Sequence, residues 1–207
     1  MTGLRERKKL AVRQALGQAA LRLAVERGVD NVRIEDIAAE ADVAVRTFRN
    51  YFSSKYEAIC SIALDRADRI GATLRERPAS EPLWEALTNA MLRHYEGIDQ
   101  APDQRWLDAV RVVLTSPGVR AEFLRVTAAT QNALAAAIAD RSGVDRATDM
   151  YPEILAGAAT AAAQVALRRW FGADPPVPLR PLLEQALGQL ARACSAGVSS
   201  VGVSSVR

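Results

Sequence analysis

The sequence predicts an all-α fold of about nine helices, in which a small N-terminal group of helices precedes a larger helical bundle. Apolar residues recur at i, i+3, i+4 and i+7 along almost the whole chain, which is the spacing of one buried helix face. Runs of alternating β-branched residues, which would indicate strands, are missing. With 207 residues and 49% hydrophobic side chains, the chain is long and apolar enough to bury such a core.

Glycine and proline interrupt the helical pattern and set the predicted boundaries. Gly28 directly follows the first apolar stripe, where glycine commonly ends a helix, and Pro78 ends the fourth helix because proline cannot continue one. The same reasoning along the chain predicts helices over 5–27, 33–40, 44–51, 55–77, 82–96, 103–115, 118–140, 147–171 and 179–196.

These boundaries predict two domains and a tail. Residues 1–53 form the first domain, and residues 54–196 form the second. The segment 197–207 consists almost entirely of Ser, Gly and Val. We expect this segment to be a flexible tail, because it cannot bury enough apolar surface to offset the entropy of ordering.

Residues 33–52 have the pattern of a helix-turn-helix, in which a short second helix is braced against a first one. Phe48 and Phe52 fall on the inward face of the second helix. Small Ala38 on the first helix allows a close crossing, and Val43 fills the turn between the two helices. Such bracing lets the outer face of a second helix enter a major groove about 12 Å wide.

The outer face of this second helix carries side chains that can form hydrogen bonds with base edges or phosphates. Arginine pairs bidentately with guanine, and asparagine pairs in the same way with adenine. Lys55 begins the following helix, where its ammonium and the unpaired backbone N–H groups together form an anion site. The alternative is an ordinary helical hairpin with a solvated polar face. The candidate DNA-binding residues are Arg33, Val45, Arg46, Thr47, Arg49, Asn50, Tyr51 and Lys55.

The composition argues against several other classes of protein. His94 is the only histidine, and Cys60 and Cys194 are far apart without a CxxC motif, so we expect inert cysteines, no metal site and no disulfide framework. The chain contains no nucleophile motif and no phosphate- or dinucleotide-binding loop, so we expect no cofactor and no enzyme activity. It also lacks a signal peptide and any run of roughly 18 apolar residues, which predicts a cytoplasmic protein.

The formal net charge of +3 is located at the front of the chain. Residues 1–57 contain 11 Lys and Arg against 8 Asp and Glu, whereas the remainder contains 16 of each. This small excess is equally compatible with a solvated, basic helix end and with a nucleic-acid surface. The helix-turn-helix pattern favours the nucleic-acid surface.

The run from Leu16 to Ile59 resembles the DNA-binding domain of the TetR family, in which a first helix ending in Gly precedes a pattern close to T-v-x-d-I-A-x-x-a-G-V-s-x-g-t-f-Y-x-y-F-x-s-K-e-x-l. The position at the front of the chain, the chain length and the helix count also fit this family. The matching residues are Gly28, Asp36, Ile37, Ala38, Val43, Thr47, Phe48, Tyr51, Phe52, Ser54, Lys55 and Ile59.

Four positions depart from this pattern. Arg33 stands in place of a capping Thr, Asp42 in place of the turn Gly, Ala44 in place of a capping Ser, and Arg49 in place of Tyr. Aspartate tolerates the left-handed conformation, so we expect the turn to be kept. The missing cap at Ala44 costs on the order of 1 kcal/mol of local helix stability.

The resemblance implies a variable C-terminal helical domain that binds a small molecule and a homodimer formed through the last two long helices. Small residues at 156–163 and an apolar stripe within 179–196 fit such a four-helix interface, with ordinary core helices in a monomer as the alternative. The apolar side chains of this domain predict a hydrophobic effector, such as a fatty acyl or aromatic compound. Candidate ligand-binding residues are Trp84, Met91, His94, Tyr95, Trp106, Arg111 and Gln131.

These features together predict a ligand-responsive, sequence-specific DNA-binding repressor. Its dimer would place two copies of the second helix in successive major grooves of an operator, and the effector would release them. The alternative is a helical ligand-binding or scaffold module whose helix-turn-helix is only structural. Salt-dependent binding to DNA distinguishes the two hypotheses.

Overall fold

The computed structural model describes the backbone of residues 3–96 and 104–200, and the side chains of residues 3–96 and 107–193. Within these ranges the chain is all-α, as predicted, with one short 3-10 turn at Val29–Asn31 that the sequence did not predict. The helices are α1 (Leu4–Arg27), α2 (Ile34–Glu40), α3 (Val45–Arg49), α4 (Lys55–Arg75), α5 (Leu83–His94), α6 (Gln104–Thr115), α7 (Pro117–Ser142), α8 (Tyr151–Gly172) and α9 (Leu179–Ser200).

The chain divides into two compact units that differ from the predicted domains. The first unit comprises Met1–Asp68 and Pro102–Ala129, and the second comprises Arg69–Ala101 and Thr130–Arg207. α6 and the first half of α7 belong with the N-terminal helices because Val113 of α6 packs in their hydrophobic core. The predicted boundary between residues 53 and 54 therefore does not describe this grouping.

α1 contributes one helix face to the hydrophobic core of the first unit. Its predicted apolar stripe is buried, with Leu16 and Ala20 fully inaccessible and Leu23 2% exposed. An ion pair between Arg22 and Glu40 joins the outer edges of α1 and α2. α1 ends at Gly28, whose φ of 78° is a conformation that residues with a Cβ rarely adopt.

α8 and α9 pack against each other in the second unit, and α5 packs against α9. Trp170 near the end of α8 is 1% exposed, and Leu187 of α9 is fully buried. α4 and α7 approach closely because Gly71 has no side chain: a Cβ there would lie 2.7 Å from the carbonyl oxygen of Ala133.

α9 is longer than the sequence predicts. It continues to Ser200, whereas the helix was expected to end at residue 196. Ser and Gly lower helix propensity by at most about 1 kcal/mol each, and adding residues to an existing helix is far easier than nucleating one. Residues 201–207 of the predicted tail lie outside the described residues. No helix in the described part of the chain combines the length and apolarity needed to cross a bilayer.

Candidate nucleic-acid interface

The turn between α2 and α3 is tight and hydrogen-bonded. The Val43 N–H donates to the carbonyl oxygen of Ala38 at 2.9 Å, and the Asp42 N–H donates to that of Ala39 at 3.1 Å. Asp42 has a φ of 52°, which is left-handed backbone. This confirms the prediction that aspartate keeps the turn where related sequences have glycine, because its short side chain tolerates this conformation.

Two aromatic rings hold α3 against the rest of the first unit. Phe48 is fully buried and Phe52 is 2% exposed, and their ring centroids lie 5.6 Å apart at a tilt of 53°. Both rings lie in one cluster with the buried Ile37 and Ala38 of α2. Replacing a buried phenylalanine with alanine costs about 3–5 kcal/mol of folding stability. The two rings therefore hold α3 firmly, although it has only about one and a half turns.

The opposite face of α3 is open to solvent. Arg46, Arg49 and Asn50 are exposed, and Thr47 is half-buried. Within the residues that the structure describes, the guanidinium groups of Arg46 and Arg49 form no ion pair, and the side-chain amide of Asn50 forms no hydrogen bond. Asn50 has helical backbone angles (φ −77°, ψ −16°), so it continues the outer face one residue past α3. These donors are therefore available to an external partner.

Three further candidate contacts differ in their surroundings. Arg33 is exposed, and its backbone N–H donates to the Asp36 carboxylate at 3.0 Å, which caps the start of α2. Val45 and Tyr51 are half-buried and pack against the hydrophobic cluster. Val45 thus braces α3, and only part of its side chain remains for a contact outside the protein.

The surroundings of Lys55 differ from the predicted anion site. Its ammonium donates to the carbonyl oxygens of Val29 at 2.7 Å and Val32 at 2.9 Å, and it lies 5.5 Å from the ring centroid of Tyr56. Two of the three N–H donors are therefore used inside the protein. This cation ties the start of α4 to the turn that leads into α2, which sequence reasoning missed because the contact spans 23–26 residues.

The N-terminus of α4 carries a second local network beside Lys55. The carboxylate of Glu57 accepts hydrogen bonds from the Ser53 backbone N–H at 2.8 Å and from the Ser53 hydroxyl at 2.7 Å. The Ser54 hydroxyl accepts from the Glu57 N–H at 3.1 Å. Burial by itself would raise the pKa of Glu57, but these hydrogen bonds and the nearby Arg125 and Arg13 outweigh it and lower the pKa. The carboxylate therefore stays ionised and caps α4.

Comparisons with known proteins identify the class to which this arrangement belongs. A family profile described as "Bacterial regulatory proteins, tetR family" matches residues 17–57, and one described as "MftR C-terminal domain" matches residues 81–195. The "HTH-type transcriptional regulator TcmR" of Streptomyces glaucescens is 34% identical over 179 residues, which cover 82% of this chain and 77% of that protein. The chain belongs to the TetR family.

Solved structures show the same fold. SmeT, the repressor of the Stenotrophomonas maltophilia multidrug efflux pump SmeDEF, aligns with a TM-score of 0.57 at 20% identity, over 87% of this chain and 89% of SmeT. The fatty acid degradation regulator FadR from Bacillus halodurans aligns with a TM-score of 0.58 at 16% identity, over 92% of this chain and 96% of FadR. This TetR-family chain is a DNA-binding transcription regulator rather than an enzyme.

The residues predicted to bind an effector in this TetR-family regulator are divided between the two compact units. Met91 is fully buried in α5, and the rings of His94 and Tyr95 meet edge to face at 4.8 Å. Trp84 and Gln131 are half-buried in the same unit. Arg111 lies in the other unit.

Arg111 is exposed and pairs with Asp108 on its own helix at 3.1 Å. Its guanidinium therefore faces solvent, and the prediction that it anchors a ligand in an apolar pocket gains no support. The side chain of Trp106 lies outside the described residues.

Cys60 of this TetR-family regulator is a packing residue, as predicted. Its side chain is 7% exposed, and burial together with the nearby Glu122 carboxylate raises the pKa of its thiol to about 11. The thiol is therefore protonated at neutral pH and is a poor nucleophile. The side chain of Cys194 lies outside the described residues.

Replacing Lys55 with methionine tests the internal role of its ammonium. We expect the free energy of unfolding to fall by about 1–3 kcal/mol, because the carbonyl oxygens of Val29 and Val32 lose their donor. Urea denaturation measures this change. Arg27→Met, at an exposed position in the last turn of α1, is the control and should leave stability unchanged. If Lys55→Met instead keeps full stability and lowers the salt slope of DNA binding by about one unit for each subunit, the sequence-based phosphate role is correct.

Proposed function

We propose that this chain is an operator-binding repressor that acts as a homodimer in the cytoplasm and is released from DNA by a small hydrophobic effector. The observation that carries the proposal is the outer face of α3, where Arg46, Arg49 and Asn50 are exposed without internal partners while Phe48 fixes the helix from behind. Because the helix is already fixed, its donors can bind base edges without the further entropic cost of ordering the backbone.

The side chains on α3 determine what kind of readout is available. Arg46 and Arg49 offer bidentate donors for the O6 and N7 atoms of guanine, and Asn50 offers a donor and an acceptor for adenine. Thr47, which is half-buried, presents a hydroxyl and a methyl group at the same surface. The expected readout is therefore through the major groove, with the two helices of a dimer about 34–36 Å apart.

An exposed apolar face on α8 supports a dimer formed through the last two helices. Ile154 is 64% exposed and Val165 is 39% exposed, and both share one helix face with Ala158 and Ala161. Gly157 has nothing within 4 Å of where its Cβ would be. Large apolar side chains interleaved with small ones allow a second helix to approach closely, which is how helical bundles associate.

The hydrophobic nature of the effector is inferred from the interior of the second unit and from relatives. Trp84, Leu87 and Met91 place large apolar side chains along α5. Among the structural relatives, SmeT has been solved as a complex with triclosan, and FadR is a fatty acid degradation regulator.

A cavity of about 510 Å³ beside the end of α4 does not fit such an effector. It is lined by Arg75, which pairs with Asp140 at 2.6 Å, and by Arg77, which pairs with Glu81 at 2.6 Å. The hydrogen bonds from Arg77 hold the pKa of Glu81 below its ordinary value, so this lining stays charged. A hydrophobic molecule would gain little there, because burial of the ion pairs costs desolvation energy.

Footprinting on the DNA that flanks the gene for this chain tests the proposed function. We expect the purified protein to protect an imperfect palindrome whose half-sites are one helical turn or a small number of turns apart. The affinity should fall steeply as the salt concentration rises. A protein that binds neither this DNA nor unrelated DNA in a salt-dependent way would be a ligand-binding or scaffold module instead.

A further inference from the structure

The net positive charge of the chain is concentrated at one exposed helix end. Residues 4–10 contain Arg5, Arg7, Lys8 and Lys9 against Glu6, which gives +3, the formal net charge of the whole chain. The other 200 residues contain 23 cationic and 23 anionic side chains. The residues outside this helix end, including α3, therefore carry no net charge.

These basic residues lie on a part of α1 that extends beyond the core of the first unit. Every residue from 3 to 11 is exposed, and the first fully buried residue of the helix is Leu16. In the described part of the chain, Arg5, Arg7, Lys8 and Lys9 form no ion pair or side-chain hydrogen bond. About two helical turns of α1 therefore carry cations that form no ion pair or side-chain hydrogen bond with the rest of the described protein.

The basic residues continue the same helix face that packs against the helix-turn-helix. A helix advances about 100° per residue, so positions 5 and 9 are in line with Arg13, Leu16, Ala20 and Leu23. Leu16, Ala20 and Leu23 are buried. The same face of α1 is therefore apolar where the helix packs in the core and basic where the helix extends beyond it.

Arg13 joins this basic face to the segment that follows α3. Its guanidinium bonds to the Asp65 carboxylate at 2.9 Å and lies 4.8 Å from the ring centroid of Phe52, two residues after Asn50. Lys9 and Arg5 are one and two turns before Arg13, so they lie about 6 Å and 12 Å further along the helix axis. One strand of DNA carries a phosphate about every 3.4 Å along its axis, so cations about 6 Å apart can contact phosphates of the same strand.

We infer that the exposed N-terminal turns of α1 are a second DNA-binding surface, which contacts the phosphate backbone beside the groove occupied by α3. This inference rests on the proposed function. It assigns the two surfaces different roles: α3 discriminates between sequences, and α1 supplies a sequence-independent attraction that depends strongly on salt.

An anionic membrane is the other partner that a basic helix end can bind, and the pattern disfavours it. Membrane-surface helices combine a basic face with a continuous apolar face. The exposed apolar side chains here are Leu4 and Leu10, which differ by about 120° around the helix and are separated by Arg7. They do not form one apolar face that could insert into a bilayer.

The test compares two variants of the full-length protein that have the same net charge. R5Q/K9Q removes two cations from the proposed surface, and R69Q/R93Q removes two exposed cations from the second unit. Glutamine has nearly the helix propensity of lysine and arginine, so both variants should fold. Fluorescence anisotropy is measured with the footprinted duplex and with a scrambled duplex, between about 50 and 200 mM salt.

For R5Q/K9Q we expect the slope of log K against log salt to fall by about 2–4 units in the dimer, since each lost phosphate contact contributes about 0.9. Both duplexes should weaken in the same proportion, so that the ratio of specific to nonspecific affinity is kept. R69Q/R93Q should bind like the wild type.

Several results would overturn the inference. One is a slope for R5Q/K9Q equal to that of the wild type. Another is an equal fall in R69Q/R93Q, which would make net charge the cause. A third is binding of the wild type to phosphatidylglycerol vesicles that R5Q/K9Q loses while its DNA slope is kept. If the wild type itself binds neither duplex, the proposed function fails together with the inference, whereas the other results leave the proposed function standing.

Discussion

Replacing Arg46 with alanine is expected to weaken operator binding by roughly 30- to 25,000-fold without changing the fold. A bidentate arginine–base contact contributes about 1–3 kcal/mol, and a symmetric dimer loses it twice. The side chain is exposed and forms no ion pair among the described residues, so its removal leaves no internal group unsatisfied. Anisotropy titrations against operator and scrambled duplexes measure the loss, and circular dichroism checks the helix content.

Arg27→Ala is the matched control for this experiment. Arg27 is exposed in the last turn of α1, in the same unit, and its loss changes the charge equally. It should retain operator binding within about twofold, because it is not on the outer face of α3. If Arg46→Ala also binds the operator as tightly as the wild type, α3 is not the element that reads the sequence.

Placing a carboxylate on the exposed face of α8 is expected to convert the dimer into a monomer. Ala161 is exposed there, in line with Ile154 and Val165, so Ala161→Glu should not disturb an isolated protomer. In a dimer each subunit would bury an unpaired charge, which costs about 3–5 kcal/mol. The dimer dissociation constant should therefore rise by at least about 100-fold, as measured by sedimentation equilibrium.

Operator affinity should fall with the dimer, because one half-site binds a single α3 weakly. Ala72→Glu, at an exposed position of α4, is the control and should stay dimeric. A variant Ala161→Glu that sediments as a dimer would show that the subunits associate through a different surface.

Much of the fold could be predicted from local patterns in the sequence. The helices begin and end close to the predicted residues because glycine, proline and apolar periodicity act within a few residues of where they stand. Asp42 is an example: its left-handed backbone, with φ at 52°, follows from the side chain itself and from its place between two short helices. The inward face of α3 follows in the same way from the spacing of Phe48 and Phe52.

Contacts between distant segments could not be predicted. The ammonium of Lys55 looked free for a phosphate, but it is bound to the carbonyl oxygens of Val29 and Val32. The partners of this ammonium depend on how the helices are oriented in three dimensions, which apolar periodicity does not encode.

The grouping of helices likewise depends on packing rather than on order along the chain. α6 and the first half of α7 join the N-terminal helices because Val113, Val119 and Val126 share their hydrophobic core. The predicted boundary between residues 53 and 54 was placed at the end of the helix-turn-helix pattern. The compact unit is instead defined by which buried side chains pack together.

The sequence by itself determined the helices, the helix-turn-helix and the identity of the donors on α3, since these depend on side-chain chemistry and on a repeat of about 3.6 residues. Only the tertiary structure decided which cationic side chains bind other groups inside the protein and which are exposed without such a contact. Lys55 is bound to backbone carbonyl oxygens, whereas Lys9 and Arg5 lie on the exposed turns of α1 that precede its buried residues. The reason is that a charged side chain binds whatever polar group the packing of apolar faces brings within about 3 Å of it.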